Sequence, residues 1–125
     1  MNTAPKPVAR RRIPAGPADL PPGGRRIVPA GAFSVGVFKV DDRYHAILNY
    51  CPHEGAELCK GRLTGTNLPT DRPATYEWGR ENGILRCPWH QWEFDLETGQ
   101  HLADPACRVR VYRVVVQDGQ LFLEI

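Results

Sequence analysis

From Arg26 to the C-terminus the chain is a succession of short runs rich in Val, Ile, Phe and Tyr, broken by turn residues at the spacing of an all-β domain. Residues 32–40 (AFSVGVFKV) alternate through Phe33, Val35 and Val37, and Gly36 marks an expected bulge before Val40. Asp41-Asp42 turns the chain into its hairpin partner, residues 43–50 (RYHAILNY). Residues 84–86 and 92–95 predict two further short strands around a tight loop. A strand over residues 108–116 and another over 120–125 flank Asp118-Gly119, a hairpin turn. No ten-residue segment has a helical period, and there is no internal repeat.

The first 29 residues differ, because they hold seven of the 12 prolines and so exclude a regular helix. We read residues 1–25 as a Pro/Arg-rich N-terminal arm and 26–125 as one folded domain, since 125 residues wrap a single core. Charge divides the same way. Residues 1–26 carry six basic side chains against Asp19, and the remainder carries ten against thirteen acidic, so +5 precedes −3. Arg10, Arg11 and Arg12 lack interleaved aromatic residues and precede an acidic body, which argues against a nucleic-acid surface. No apolar run approaches the roughly 20 residues that span a bilayer. The segment after the arginines, IPAGP, is no secretory core, so we expect a cytoplasmic protein. In that compartment the four cysteines read as metal ligands or thiols.

Two loops carry the chemistry, YCPHEGA (50–56) and RCPWHQW (86–92), each following a strand. The first offers C-x-H and the second C-x-x-H, with 33 residues between His53 and Cys87. Each loop can put a thiolate and an imidazole on one centre, and two converging loops supply two sulfurs and two nitrogens. Tetrahedral zinc accepts that set. So does a two-iron, two-sulfur cluster with both cysteines on one iron and both histidines on the other. The prolines after each cysteine restrict the loops, and Gly55 lets backbone pass close to a cluster.

With CPH, CPWH and the following WEFDLETG, the chain from about residue 26 onward resembles the Rieske-type iron–sulfur proteins. The resemblance implies an antiparallel β-sandwich with two cluster-binding loops at one tip. It also implies one [2Fe–2S] cluster, with Cys51 and Cys87 on the inner iron and His53 and His90 on the outer. Respiratory members add an inter-loop disulfide, and a Ser and a Tyr that donate hydrogen bonds to sulfur. Here the disulfide positions read Ala56 and Trp89, and the donor positions Trp92 and Phe94. The likeness is therefore to the ferredoxin and oxygenase branch. It implies a carrier taking single electrons from a flavin reductase to an oxygenase or other redox enzyme, or else an integral small subunit of a larger oxidoreductase. A redox sensor or zinc-stabilised adaptor is the binding-module alternative. A free-standing oxygenase needs a further iron held by two His and a carboxylate, which this chain lacks the length and spare histidines to supply.

Several residues carry milder expectations. Residues 63–76 make the inter-loop interval longer than in small Rieske ferredoxins and read as a loop beside the cluster tip. Trp89 can serve as an electron-exit surface or a cluster cover, whereas Trp92 and Phe94 alternate as core. Glu54 reads as solvated or as a contact for a basic partner. Cys59 and Cys107 are expected as free thiols, and His45 and His101 as ordinary surface or edge residues.

Overall fold

The computed structural model describes residues 11–52, 55–68, 77–88, 92–104 and 106–125. Among them the chain forms nine strands and one 3-10 turn, Leu58–Lys60. The strands are β1 (Arg12–Pro17), β2 (Arg25–Ala30), β3 (Phe33–Val40), β4 (Arg43–Leu48), β5 (Arg62–Leu68), β6 (Glu77–Arg86), β7 (Glu93–Asp95), β8 (Val111–Gln117) and β9 (Gln120–Glu124). They make a six-stranded sheet in the order β1-β9-β8-β4-β3-β2 and a three-stranded sheet β5-β6-β7. Every pairing is antiparallel.

Proline explains the edges of the larger sheet. Pro14 and Pro17 lie in β1 and Pro29 in β2, the two strands paired on one side only, where a missing N–H interrupts no second ladder. Arg26 then brings these edges together: its guanidinium on β2 donates to the Ala15 and Pro17 carbonyls of β1, at 2.7 and 2.9 Å, and pairs with Asp19. Around this curled sheet Ala15, Val28, Val35, Val37, Ala46, Leu121 and Leu123 form one buried core.

The other face of β3 and β4 meets the small sheet. Phe38 and Ile47 pack with Leu85 of β6 and Phe94 of β7 in a second core, which also takes in Leu58, Cys59, Leu96 and Val109. Because β3 is covered on both faces, Val35 to Phe38 are all buried instead of alternating.

Four expectations change. The sheet already includes residues 12–17, so the chain is structured well before the boundary expected at residue 26. There is no bulge at Gly36, which keeps register with Ile27 and Ile47. Residues 63–68, expected as loop, belong to β5 and pair along β6, which starts at Glu77; residues 69–76 lie outside the described residues. β8 begins at Val111, because the preceding residues bond elsewhere: Arg108 bridges to Gln100, Val109 N–H donates to the Gly99 carbonyl, and Leu48 N–H to that of Arg110. The hairpin turns are as expected, with Asp41, Asp118 and Gly119 at positive φ.

Candidate metal centre

The two cysteines of the matched motifs occupy equivalent places. β4 ends at Leu48, and Cys51 opens a loop that its own N–H closes on the Ala56 carbonyl, 2.8 Å away. β6 ends at Arg86, and Cys87 opens a loop that its N–H closes on the Trp92 carbonyl, also at 2.8 Å. Each loop is thus pinched five residues after its cysteine.

Local chemistry makes these turns. In the first, Gly55 N–H returns to the Cys51 carbonyl with φ at +75°, and a Cβ there would press on the Tyr50 ring at 3.2 Å, so glycine suits the position twice over. The second loop is squared by Arg86 and Glu93, cross-strand partners whose side chains meet at 2.9 Å. Pro52 and Pro88 face solvent, whereas Cys51 and Cys87 are each 1% exposed and belong to one buried cluster with Ala56, Leu58 and Phe94.

Of two supporting residues, Asn49 went unread in the sequence and His101 was expected elsewhere. Asn49 is buried, accepts the Cys59 N–H on its side-chain oxygen at 2.8 Å and donates to the Ser34 hydroxyl at 3.0 Å. It ties the first loop to β3 and to the 3-10 turn. The available signal was a polar residue ending an apolar strand just before the cysteine loop. His101, expected at the surface or an edge, is buried at 7% exposure. Its Nδ1 accepts the N–H groups of Ala103 and Asp104, and its ring stands edge-on to Trp92 and Phe94 at 4.4 and 5.2 Å. Phe94 is fully buried and Trp92 packs against the same core, as their alternation implied.

Cys59 and Cys107 are free thiols. Cys59 lies under Gly36 with its Sγ 3.5 Å from the Ile47 carbonyl, and burial pushes its pKa up to about 12 against the help of the Gly36 N–H and Arg25. It is a protonated core thiol at neutral pH. His45 is partly buried, and that burial together with Arg43 lowers its pKa, while Glu97 and Asp95 oppose the shift. The expected ligands His53 and His90, with Glu54 and Trp89, lie outside the described residues. Two buried sulfurs at the necks of twin loops, within one apolar cluster, are a donor set that suits soft iron–sulfur ligation.

The family model described as the Rieske [2Fe-2S] domain matches residues 14–113. This chain belongs to that family. As a Rieske domain it carries one Rieske-type [2Fe–2S] cluster. It is 27% identical over 105 residues to the ferredoxin component of the alkene monooxygenase system of Xanthobacter autotrophicus, covering 84% of this chain and 73% of that protein. It is 29% identical over 108 residues to the 3-phenylpropionate/cinnamic acid dioxygenase ferredoxin subunit of Photorhabdus laumondii, covering 86% and 87%. Among solved structures, a chain from the complex of oxygenase and ferredoxin of carbazole 1,9a-dioxygenase superposes with a TM-score of 0.69 and 25% identity, over 90% of this chain and 92% of that one. Ala56, which the resemblance aligns with a disulfide cysteine of respiratory members, is buried. No helix among the described residues is long and apolar enough to cross a membrane.

Proposed function

We propose that this Rieske domain is a one-electron carrier of the ferredoxin type, taking electrons from a flavin reductase and delivering them to an oxygenase in the cytoplasm. The single observation that carries this reading is the pair of matched cysteine loops, each pinched by its own cysteine N–H beside solvent-facing prolines. When bound, the cluster supplies the reversible one-electron step. The chain holds it and sets its surroundings. Cys51 and Cys87, buried in one cluster, would hold one iron, and His53 and His90 would hold the other. Phe94, Leu58 and Ala56 keep water from the sulfur side. That low-dielectric wall would limit reorganisation around the bound cluster. Likeness to ferredoxin components of oxygenase systems supports the oxygenase as recipient.

The test is iron and acid-labile sulfide content, with the electron paramagnetic resonance of the reduced state, across single alanine variants. Cys51→Ala, His53→Ala, Cys87→Ala and His90→Ala should each lose the cluster, whereas Cys59→Ala and Cys107→Ala should keep it. Zinc in place of iron, or a cluster that survives loss of any of the four, would defeat the ligand assignment. Purification from the native source at fixed stoichiometry with a larger enzyme would turn the reading from diffusing carrier to integral subunit.

A further inference from the structure

We propose that a basic cleft beside the Cys87 loop is the docking subsite for a carboxylate cluster on the carrier's protein redox partner. This rests on the electron-carrier reading and adds the electrostatic character of the surface that the partner must match.

The cleft, about 190 Å³, is lined by Lys60, Gly61, Arg62, Arg86, Cys87 and Pro88. Arg25 reaches it from β2, its guanidinium donating to the carbonyls of Gly61 and, at 2.9 Å, Cys59. Four cations therefore surround it among the described residues. Two carboxylates answer them: Glu57 pairs with Lys60 at 2.8 Å and Glu93 with Arg86 at 2.9 Å. Among the described residues, four against two is a local charge of +2. That sign runs against the body of the chain, which from residue 27 onward carries ten basic and thirteen acidic side chains, or −3.

Register makes the arrangement harder to read as chance. Arg62 of β5 stands directly opposite Arg86 of β6. Like charges in cross-strand positions destabilise a sheet. Glu93 relieves Arg86 from the far side, across the β6-β7 register, and leaves the exposed Arg62 charge directed at solvent with no ion pair among the described residues. A sheet that tolerates this repulsion beside Cys87 presents a fixed positive field at the neck of that loop. Fields of this kind focus oppositely charged partners and raise association rates steeply at low ionic strength. Guanidinium groups also suit carboxylates geometrically.

The experiment uses the cluster-loaded full chain, reduced and mixed in stopped flow with ferricyanide or with tris(phenanthroline)cobalt(III). In each case one electron leaves the reduced cluster and the oxidant takes it up, giving ferrocyanide or the cobalt(II) complex. Arg62→Glu is compared with Arg113→Glu, which makes the same change in net charge on the exposed side of β8. Arg62→Glu should slow ferricyanide at least about fivefold at low salt, well within the range of surface-field effects, and should speed the cobalt complex. Arg113→Glu should leave both rates within about twofold of the parent, with the salt dependence of the ferricyanide reaction flattened only by Arg62→Glu. Equal effects of the two variants overturn the subsite. Independently of electron transfer, a hexaglutamate peptide should shift the amide resonances of Lys60, Gly61 and Arg62, and Arg62→Glu should abolish the shifts. Sulfate at matched ionic strength giving the same shifts would reduce the cleft to an inorganic-anion site and overturn protein docking. A parent chain that exchanges electrons with neither oxidant defeats the carrier reading itself, a result distinct from equal variants.

Discussion

Gly36 of β3 lies so close against Cys59 that a Cβ on the glycine would collide with the cysteine sulfur. The strand can approach the 3-10 turn only because position 36 has no side chain. Gly36→Ala should therefore overpack the second core and cost about 1–3 kcal/mol in chemical denaturation. Adding Cys59→Ala removes the nearest atom, so the double variant should show a coupling of about 0.5 kcal/mol or more relative to the two singles. Additive losses would mean the strand moves aside freely.

The same thiol makes alkaline stability informative. The folded pKa of Cys59 is raised from 9.0 to about 12, so above pH 9 the unfolded chain releases a proton that the folded chain keeps. Its contribution is fully present below pH 9 and is lost as pH rises toward 12. Melting temperatures of the parent should fall across that window more steeply than those of Cys59→Ala. Parallel curves would show that burial does not hold the proton.

His45 works at the acid end. Its folded pKa is lowered, mainly by burial and then by Arg43. Below 6.5 the unfolded chain takes up a proton before the folded one does, so stability declines as pH falls. His45→Gln should flatten the decline between pH 7 and pH 5. A variant that tracks the parent through this range would remove His45 as its source.

His101 holds the segment after β7 by accepting two backbone N–H groups on Nδ1. His101→Ala removes that acceptor together with the edge contacts to Trp92 and Phe94, and should cost about 1–3 kcal/mol. His101→Asn, which restores an acceptor at similar reach, should recover part of the loss. The cluster absorption spectrum of each variant reports whether the Cys87 loop, pinched at Trp92, loosens with it.

The resemblance aligns Trp92 and Phe94 with the hydroxyl donors of respiratory Rieske proteins, and Phe94 is fully buried. Fewer donors to sulfur stabilise the reduced state less. Protein-film voltammetry should give a potential near the low end of the Rieske range, about −150 mV. A value well above zero would require donors other than these two side chains.

Local chemistry made much of this protein readable in advance. Asp41-Asp42 and Asp118-Gly119 favour positive φ and so predict their hairpins without help from distant residues. Cysteine and histidine at C-x-H and C-x-x-H spacing specify a metal chemistry because a single loop fixes their separation. The strands β3, β4, β8 and β9 follow from short-range alternation and β-branched composition.

What stayed hidden depended on neighbours far along the chain. A proline-rich segment becomes β1 because β9 offers it an edge and Arg26 holds its carbonyls. RLTGTNL carries little apolar signal and becomes β5 because β6 supplies the ladder. Gly36 looks like a bulge until Cys59, 23 residues on, is seen to fill the space above it. Phe33 shares the alternation of Val35 and Val37 yet is 60% exposed, since it sits at the hairpin end where no sheet covers it. Burial, the sign of the charge around the Cys87 loop and the meeting of the two cysteines in one core are sums over residues distant in sequence. Periodicity within a strand reports which side chains share a face, whereas packing of one sheet on another decides which faces are covered.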